Sequence, residues 1–403
     1  MFAVMNVASG ASALAPANGA GKRLIVEGWR FLPHSYAIIN QWQLLALLRR
    51  NIALKVVDVP FYRPSWQAQA GLFEPTAEQA LRSIEVAQPA ESADVTLRVF
   101  YPFTFSPSRS HLTAVFATLE QQLIRENQMS DLREYERLRR GPPPANIKAV
   151  TPSKWSAEGF YRAGFHMDQV LVVPHGVDTA TFHPMPDVRK DIRSGIPILD
   201  GEFVFLSVGA MSGNKGIDLL LRGFAEVCRK FPDARLVLKG MDRLYDSRGL
   251  LLKGMRTLSA GDQQIVLERM KYVGDALSHQ AMAMLYQVAD AYVSPYRAEG
   301  FNLPVLEAAA CGIPIICTHG GPTDDFVTGE FARRIESRTS VTAIDGRHAS
   351  RLDPSLEHLI VLMTSAIEDS LWRQHAAEAG PRHVSASYTW DCAIDKLIRN
   401  LLN

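Results

Sequence analysis

Cysteine is scarce, with four in 403 residues: Cys228, Cys311, Cys317 and Cys392. None lies in a CxxC pair, which argues against a small disulfide scaffold and a zinc site and reads as reduced, mostly buried thiols. No apolar run approaches the roughly 18 residues needed to cross a bilayer, so a soluble protein is expected. Neither charge sign dominates: 43 Lys and Arg against 42 Asp and Glu leave a net charge of +1. Bulk electrostatics therefore give no case for nucleic acid or an acidic partner, and small-molecule chemistry is the better expectation. The start lacks a basic segment followed by a sustained apolar one, so no signal peptide is expected, and its Ala, Gly, Ser and Asn content predicts a flexible tail over 1–22. No repeat of 20 to 50 residues is evident, which sets solenoids aside.

What is present is enough for two cores, since the composition is 47% hydrophobic and 21% charged over a length that suits two domains of ordinary size. From "RLIVEGW" onward, short apolar runs alternate with amphipathic segments. Ile38, Trp42, Leu45 and Leu48 fall at helical spacing, and "IALKVVDV", "DVTLRVFYP", "LTAVFATL", "NIKAVTPS" and "QVLVVPHGV" read as strands. This predicts a first α/β domain over 23–185. A stretch rich in Pro, Gly and charge predicts a linker at 186–201. A second alternation follows over 202–385, with strands at "FVFLSVG", "ARLVLKG", "IVLERMKYVGD", "AYVSPY" and "IPIICTHGG", and Ser278 as a helix cap. Two parallel-sheet domains in tandem would face each other across a cleft, with ligands at the carboxyl ends of the strands.

The chemistry concentrates in "AEGFNLPVLEAAACG", residues 298–312, where Glu299 and Glu307 lie eight positions apart. Pro304 has no N–H and keeps Leu303 out of the helical region, so a helix is expected to begin at Pro304 rather than run through it from Glu299. That start would leave the N–H groups near Asn302, Leu303 and Val305 open to a diphosphate. Glu307, in the first turn, could accept hydrogen bonds from a ribose diol, and Glu299 could grip other hydroxyls. Alone, the spacing favours a carboxylate that merely complements the helix dipole beside a solvated one. Lys215 in "GNKGID" follows a strand and precedes a helix, yet Gly216 after it rules out a Walker A loop. Lys239 ends the next strand on the same sheet edge, so two cations could oppose a pyrophosphate. No D-x-D occurs anywhere, which argues mildly against a bound divalent metal.

Together, "AEGFNLPVLEAAACGIPII", "GNKGID" and "VVPHGVDTATFHP" resemble the retaining GT-B glycosyltransferases of the large family 4 group, which carry an E-x7-E motif. The likeness runs from about Arg23 to the C-terminus and is strongest from residue 150 onward. It implies a GT-B α/β fold of two Rossmann-like domains, with the last helix, in 386–403, crossing back onto the first domain. It implies transfer of a sugar, without a cofactor, from a nucleotide diphosphate sugar to a carbohydrate or lipid-linked hydroxyl acceptor in glycan, surface polysaccharide or glycoconjugate synthesis. Under it, Glu307 meets the ribose, Glu299 meets the donor sugar, and Lys215 neutralises the diphosphate. The backbone of Gly300, Phe301, Asn302 and Leu303 cradles the sugar and distal phosphate. The base lies near the loop after Val273. Two departures stand out. Ala210 occupies a position that is usually basic, which shifts phosphate stabilisation to Lys239, Arg243 or the helix end. Asn302 replaces a glycine, a mild change because Asn tolerates left-handed backbone. In the N-terminal half, Glu120 stands where relatives often place a histidine, and His34 and Ser35 are candidate acceptor contacts, with Ser35 alternatively a helix cap. His175 is expected to order its turn. A non-catalytic nucleotide-sugar-binding subunit is the alternative. The expected location is cytoplasmic; Arg133, Arg137, Arg139 and Arg140 leave open a peripheral contact with the inner face of a membrane.

Overall fold

The Val-, Ile- and Leu-rich runs form the strands of two separate parallel sheets in the computed structural model, which describes residues 21–196, 198, 199, 201–344 and 346–402. Residues 1–20 of the expected tail lie outside the described residues. The first unit runs β1 (Arg23–Gly28), α1 (Ser35–Leu48), β2 (Ala53–Asp58), α2 (Pro75–Ser83), β3 (Val95–Val99), β4 (Leu112–Phe116), α3 (Leu132–Arg140), β5 (Ile147–Thr151), α4 (Lys154–Arg162) and β6 (Val170–Val172). Its sheet order is β2-β1-β3-β4-β5-β6, parallel throughout.

The second unit opens with α5 (Arg189–Gly195) and continues through β7 (Phe203–Val208), α6 (Ile217–Lys230), β8 (Ala234–Lys239), α7 (Ser247–Met255), α8 (Ala260–Arg269), β9 (Met270–Val273), α9 (His279–Gln287), β10 (Ala291–Ser294), α10 (Leu303–Ala310), β11 (Ile315–Thr318) and β12 (Ala332–Ile335). Its order is β12-β11-β10-β7-β8-β9. Both faces of this sheet are covered: Val204, Leu206 and Tyr292 belong to one apolar cluster, and Phe205, Leu236 and Leu238 to another. Burial on both faces is why these strands read as continuous apolar runs rather than as alternating ones. No helix is long and apolar enough to cross a membrane among the described residues.

Three segments differ from expectation. The stretch 186–201 is not a bare linker: α5 forms within it, and Arg189 and Arg193 both pair with Asp290, each at 2.5 Å, docking the helix on the second unit. The strand expected across "IVLERMKYVGD" is helical up to Arg269 and becomes β9 only at Met270, because no turn residue separates the two in sequence. After β12 comes an antiparallel hairpin, β13 (Ser337–Ile344) and β14 (Arg347–Pro354), which no motif announces.

The chain then forms α11 (Leu356–Glu368), α12 (Ser370–Ser387) and α13 (Trp390–Leu401). Trp390, Ile394, Leu397 and Ile398 of α13 are part of the first unit's core. Arg50, at the end of α1, pairs with Asp395 at 2.8 Å. The backbone N–H of Val177 donates to Tyr388 at 2.8 Å, so both crossings between the units run side by side.

Candidate active site

Left-handed backbone at Asn302, with φ at 75°, ends the loop after β10 and starts α10. Asn is among the few residues other than Gly that take this conformation at modest cost, and its side chain donates to Ser294 Oγ at 2.9 Å, holding it there. The helix starts at Leu303, one residue earlier than expected, so Pro304 is its second residue and Glu307 lies beyond the first turn. The N–H of Val305 is also not free, because it donates to Asn302 O at 3.0 Å. Among the described residues none accepts from the N–H groups of Gly300, Phe301, Asn302 and Leu303, so the open anion-binding row lies in the loop and first helical residue. The Phe301 ring packs on His175 and Phe326, with centroids at 4.8 and 4.7 Å, which leaves only its backbone for a ligand.

A second loop is strapped to the first. Arg297 grips Asp218 through two hydrogen bonds of 2.5 and 2.7 Å, and the N–H groups of Arg297 and Ala298 donate to Asn214 O. Gly216 permits the turn: its φ is +70°, and a Cβ there would stand 1.9 Å from Pro295 O. The Lys215 ammonium consequently forms an ion pair with Glu299. Glu120 reaches the same place from the loop after β4, where its carboxylate accepts from Asn214 Nδ2 at 3.2 Å and its carbonyl from Trp155 Nε1 at 2.9 Å. Two carboxylates from two domains thus flank one ammonium. Burial pushes Glu120 up, and the neighbouring Glu299 adds to this. Burial works against the Lys215 charge, but Glu299 and Glu120 outweigh it and raise its pKa. The cluster holds a firm cation beside a carboxyl whose affinity for a proton is raised.

Glu307 is half-buried and accepts from the Tyr286 hydroxyl at 2.8 Å. Burial pushes it up to about 7, against that hydrogen bond, which pulls it down. Lys239, at the end of β8, is 2% exposed, and its ammonium donates to Gly240 O. Burial pulls it down to about 8, while Asp275 and Asp242 oppose the shift. No carboxylate lies within ion-pair distance of it among the described residues. A buried ammonium held only by a carbonyl suits an incoming anion. Arg243 is exposed and donates to Gln69 Oε1 of the first unit at 3.2 Å, so it sits on the rim. Val273 ends β9 beside Lys239, and its carbonyl accepts from Gly240 N–H at 2.9 Å.

On the first unit's side lies an open cavity of about 290 Å³, lined among others by His34, Ser35, Tyr36, Glu120, Arg125 and Tyr245. The cap of α1 is His34, whose Nδ1 accepts from Tyr36 N–H at 3.2 Å, and not Ser35, which is exposed on the cavity wall. Burial pulls His34 down to about 4, so it is neutral near pH 7. His175 is buried between Phe116, Phe301 and Trp390 at the crossing. The sequence reading missed Asn214, Arg125, Tyr101 and Tyr245. Asn214 carried a signal, since it adjoins Lys215; Tyr245 carried none, since it comes from the opposite domain to stack near His34 at 6.0 Å.

The hairpin braces the loop that carries Gln121, Leu123 and Arg125 of the cavity wall. Ser350 N–H donates to Gln121 O at 2.8 Å, Arg162 donates to Ser350 Oγ at 2.9 Å, and Arg347 donates to Ile124 O and to the Tyr135 hydroxyl while lying over that ring at 5.1 Å. Arg347→Ala is therefore expected to loosen residues 121–125. Hydrogen–deuterium exchange of the 121–125 amides should speed up about tenfold in that variant relative to wild type.

Two facing parallel sheets, with a last helix returning to the first and charged loops meeting between them, define the GT-B architecture. Residues 188–350 match the family model described as "Glycosyl transferases group 1", and this segment is such a domain. Among curated relatives, the GDP-mannose-dependent monoacylated alpha-(1-6)-phosphatidylinositol monomannoside mannosyltransferase of Corynebacterium glutamicum is 28% identical over 56% of this chain and 54% of its own. Mannosylfructose-phosphate synthase of Agrobacterium fabrum is 27% identical over 58% and 48%. The match covers about half the length of these relatives. Among solved structures, HepE of Anabaena in complex with UDP-glucose superposes with a TM-score of 0.66 at 15% identity, covering 94% of this chain and 98% of that one. Sucrose-phosphate synthase from Thermosynechococcus elongatus gives 0.63 at 16%, over 94% and 98%.

Proposed function

We propose that the protein is a retaining glycosyltransferase moving a sugar from a nucleotide diphosphate sugar to a hydroxyl acceptor. The observation that carries this is the meeting of Glu120 with Lys215 and Glu299, beside an open row of backbone N–H groups and the Glu307–Tyr286 pair. Ionised Glu307 takes the ribose hydroxyls, Glu299 and Glu120 take hydroxyls of the sugar, and Lys215 meets the diphosphate. Lys239 supplies the second cation that Ala210 does not. The departing phosphate oxygen accepts the acceptor's proton on the same face of the sugar, so the protein's part is orientation and stabilisation of the leaving group. The two lysines take the place of a divalent ion, and activity is expected to survive a chelator. A subunit that binds donor without turnover is the second reading, and Ala210 is what favours it.

GDP-mannose and UDP-glucose, named for relatives above, head the donor panel. Isothermal titration against wild type and Glu307→Ala, with release of nucleoside diphosphate followed in parallel, tests the reading. One donor that binds, is lost in the variant and is consumed with retained anomeric configuration supports it. Binding untouched by loss of Glu307 removes the ribose assignment, and binding without release favours the subunit.

The pH profile follows from the two buried groups. Glu307 must lose its proton, which in the free protein happens above about pH 7, and Lys239 must keep its own, which it does below about pH 8. kcat/KM should trace a narrow bell between these values, falling about tenfold per unit on each side. Lys239→Arg should remove the alkaline limb and leave the acid one.

A further inference from the structure

The acceptor-side cavity has one cationic side chain with no direct partner; Glu120, on the same wall, acts on it only through space. Arg125 precedes the short turn Glu126–Gln128, and its backbone N–H is fixed by Gln128 Oε1 at 2.8 Å. Its half-buried guanidinium lines the cavity, yet among the described residues it has neither an ion-pair partner nor a hydrogen-bond acceptor. Other arginines of the chain are engaged by contrast: Arg30 with Asp58, Arg98 with Glu27, Arg297 with Asp218, and Arg347 with Ile124 O and Tyr135. An arginine left without a direct partner in a partly enclosed, tyrosine-walled space is suited to a carboxylate or phosphate supplied by a ligand.

Between Arg125 and Glu120 the wall is neutral. Tyr36 and Tyr101 contribute aromatic rings to the lining, and Gln121, Gln128 and Asn214 contribute amides. The Tyr101 hydroxyl donates to Asn127 O at 2.9 Å, and the Tyr36 hydroxyl shares a hydrogen bond with Thr118 at 3.2 Å, so both rings are fixed in place. Aromatic rings with amides around them match a pyranose ring. A volume of about 290 Å³ is at the small end for ligand pockets and holds a sugar rather than a lipid chain.

We propose that the acceptor is an anionic glycoside: its nucleophilic hydroxyl points to Glu120 and the donor, and its carboxylate or phosphate rests on Arg125. This rests on the glycosyltransferase reading and names its second substrate class. In the transfer, the acceptor oxygen forms the new bond to the anomeric carbon as the bond to the donor phosphate breaks. The hydroxyl proton leaves to the departing phosphate, and Arg125 takes no part in that exchange. Arg125 selects; it does not catalyse.

The test is binding of methyl β-glucuronide, glucose 6-phosphate and methyl β-glucoside to the full chain in the presence of nucleoside diphosphate, by isothermal titration and ligand-observed NMR. Wild type, Arg125→Ala and Arg125→Lys are compared. At least one charged probe should bind about tenfold or more tightly than the neutral glucoside in wild type, fall to its level in Arg125→Ala, and be partly restored in Arg125→Lys. Which charged probe wins tells carboxylate from phosphate. Equal binding of charged and neutral probes, no binding of any probe, or a preference that survives Arg125→Ala overturns the proposal. Nucleotide affinity, measured alongside with Glu307→Ala as control, separates the failures. Intact nucleotide binding without anion preference refutes the acceptor assignment alone. Absent nucleotide binding removes the glycosyltransferase reading and this proposal with it.

Discussion

Lys215→Met is expected to lose activity and stability together, whereas Lys215→Met combined with Glu299→Gln should recover the stability and not the activity. In the wild type, one ammonium serves two carboxylates, and Glu299 is only 5% exposed. Removing the cation alone strands Glu299 beside Glu120, and breaking such a pair from one side costs roughly 3–5 kcal/mol when fully buried. Because 30% of the Lys215 side chain is exposed, the lower end of that range applies. Neutralising Glu299 as well removes the carboxylate that pairs directly with Lys215 and leaves only Glu120, which still accepts from Asn214. Activity follows different physics, since in the proposed transfer Lys215 meets charge on the leaving diphosphate. Loss of one such preorganised donor costs about 10²–10³ in kcat. Urea unfolding and nucleotide release, measured on both variants, separate the effects. A double variant that regained turnover would show that the pair is structural and that the diphosphate is met elsewhere.

Most of the scaffold was readable because its signals are local. Apolar runs bounded by turns gave the strands of the first sheet and most of the second, where β12 went unread and β9 starts later than expected, and Pro304 marked the start of α10 to within a residue. Glu299, Glu307 and Lys215 were visible because the strand-loop-helix units that carry them lie within a few residues of each motif. What escaped was either polar or distant. The β13–β14 hairpin is made of "SRTSVTAI" and "RHASRLDP", whose exposed polar residues give no period-two pattern, and α5 is a charged "RKDIRSG" that reads as loop. Its order comes from Asp290, about a hundred residues away. The approach of Asn214 to Glu120 spans 94 positions, and that of Tyr245 to His34 crosses from one domain to the other. Sequence placed Lys239 at the right sheet edge, but could not show that its ammonium would be buried without a carboxylate. Nor could it show that Arg243 would be spent on Gln69.

Gly300→Ala is expected to disturb function far more than one methyl group suggests. An added Cβ would stand 2.7 Å from Thr118 Cβ and 3.0 Å from its Cγ2, closer than real carbon contacts allow, and neither side is free to yield. The Gly300 carbonyl is held by Ser153 Oγ at 2.6 Å, and Thr118 by the Tyr36 hydroxyl at 3.2 Å. These atoms belong to different domains, so the strain is relieved most readily by parting the two units where Glu120 meets Lys215 and Glu299. Overpacking of this kind costs about 1–3 kcal/mol. A displacement near 1 Å of groups that orient a substrate costs on the order of 10²-fold in rate. kcat/KM should therefore fall by about that factor, while donor affinity, which the proposed function assigns to Glu307 and the α10 start in the second domain, changes by less than about threefold. Thr118→Gly added to Gly300→Ala removes the opposing Cβ and should restore much of the rate, giving a double-mutant cycle with a coupling of at least about 1 kcal/mol. Full activity in Gly300→Ala alone would mean that the close approach of Gly300 to Thr118 is not the arrangement in which the reaction occurs. Loss without rescue would place the fault in the backbone of the donor loop itself.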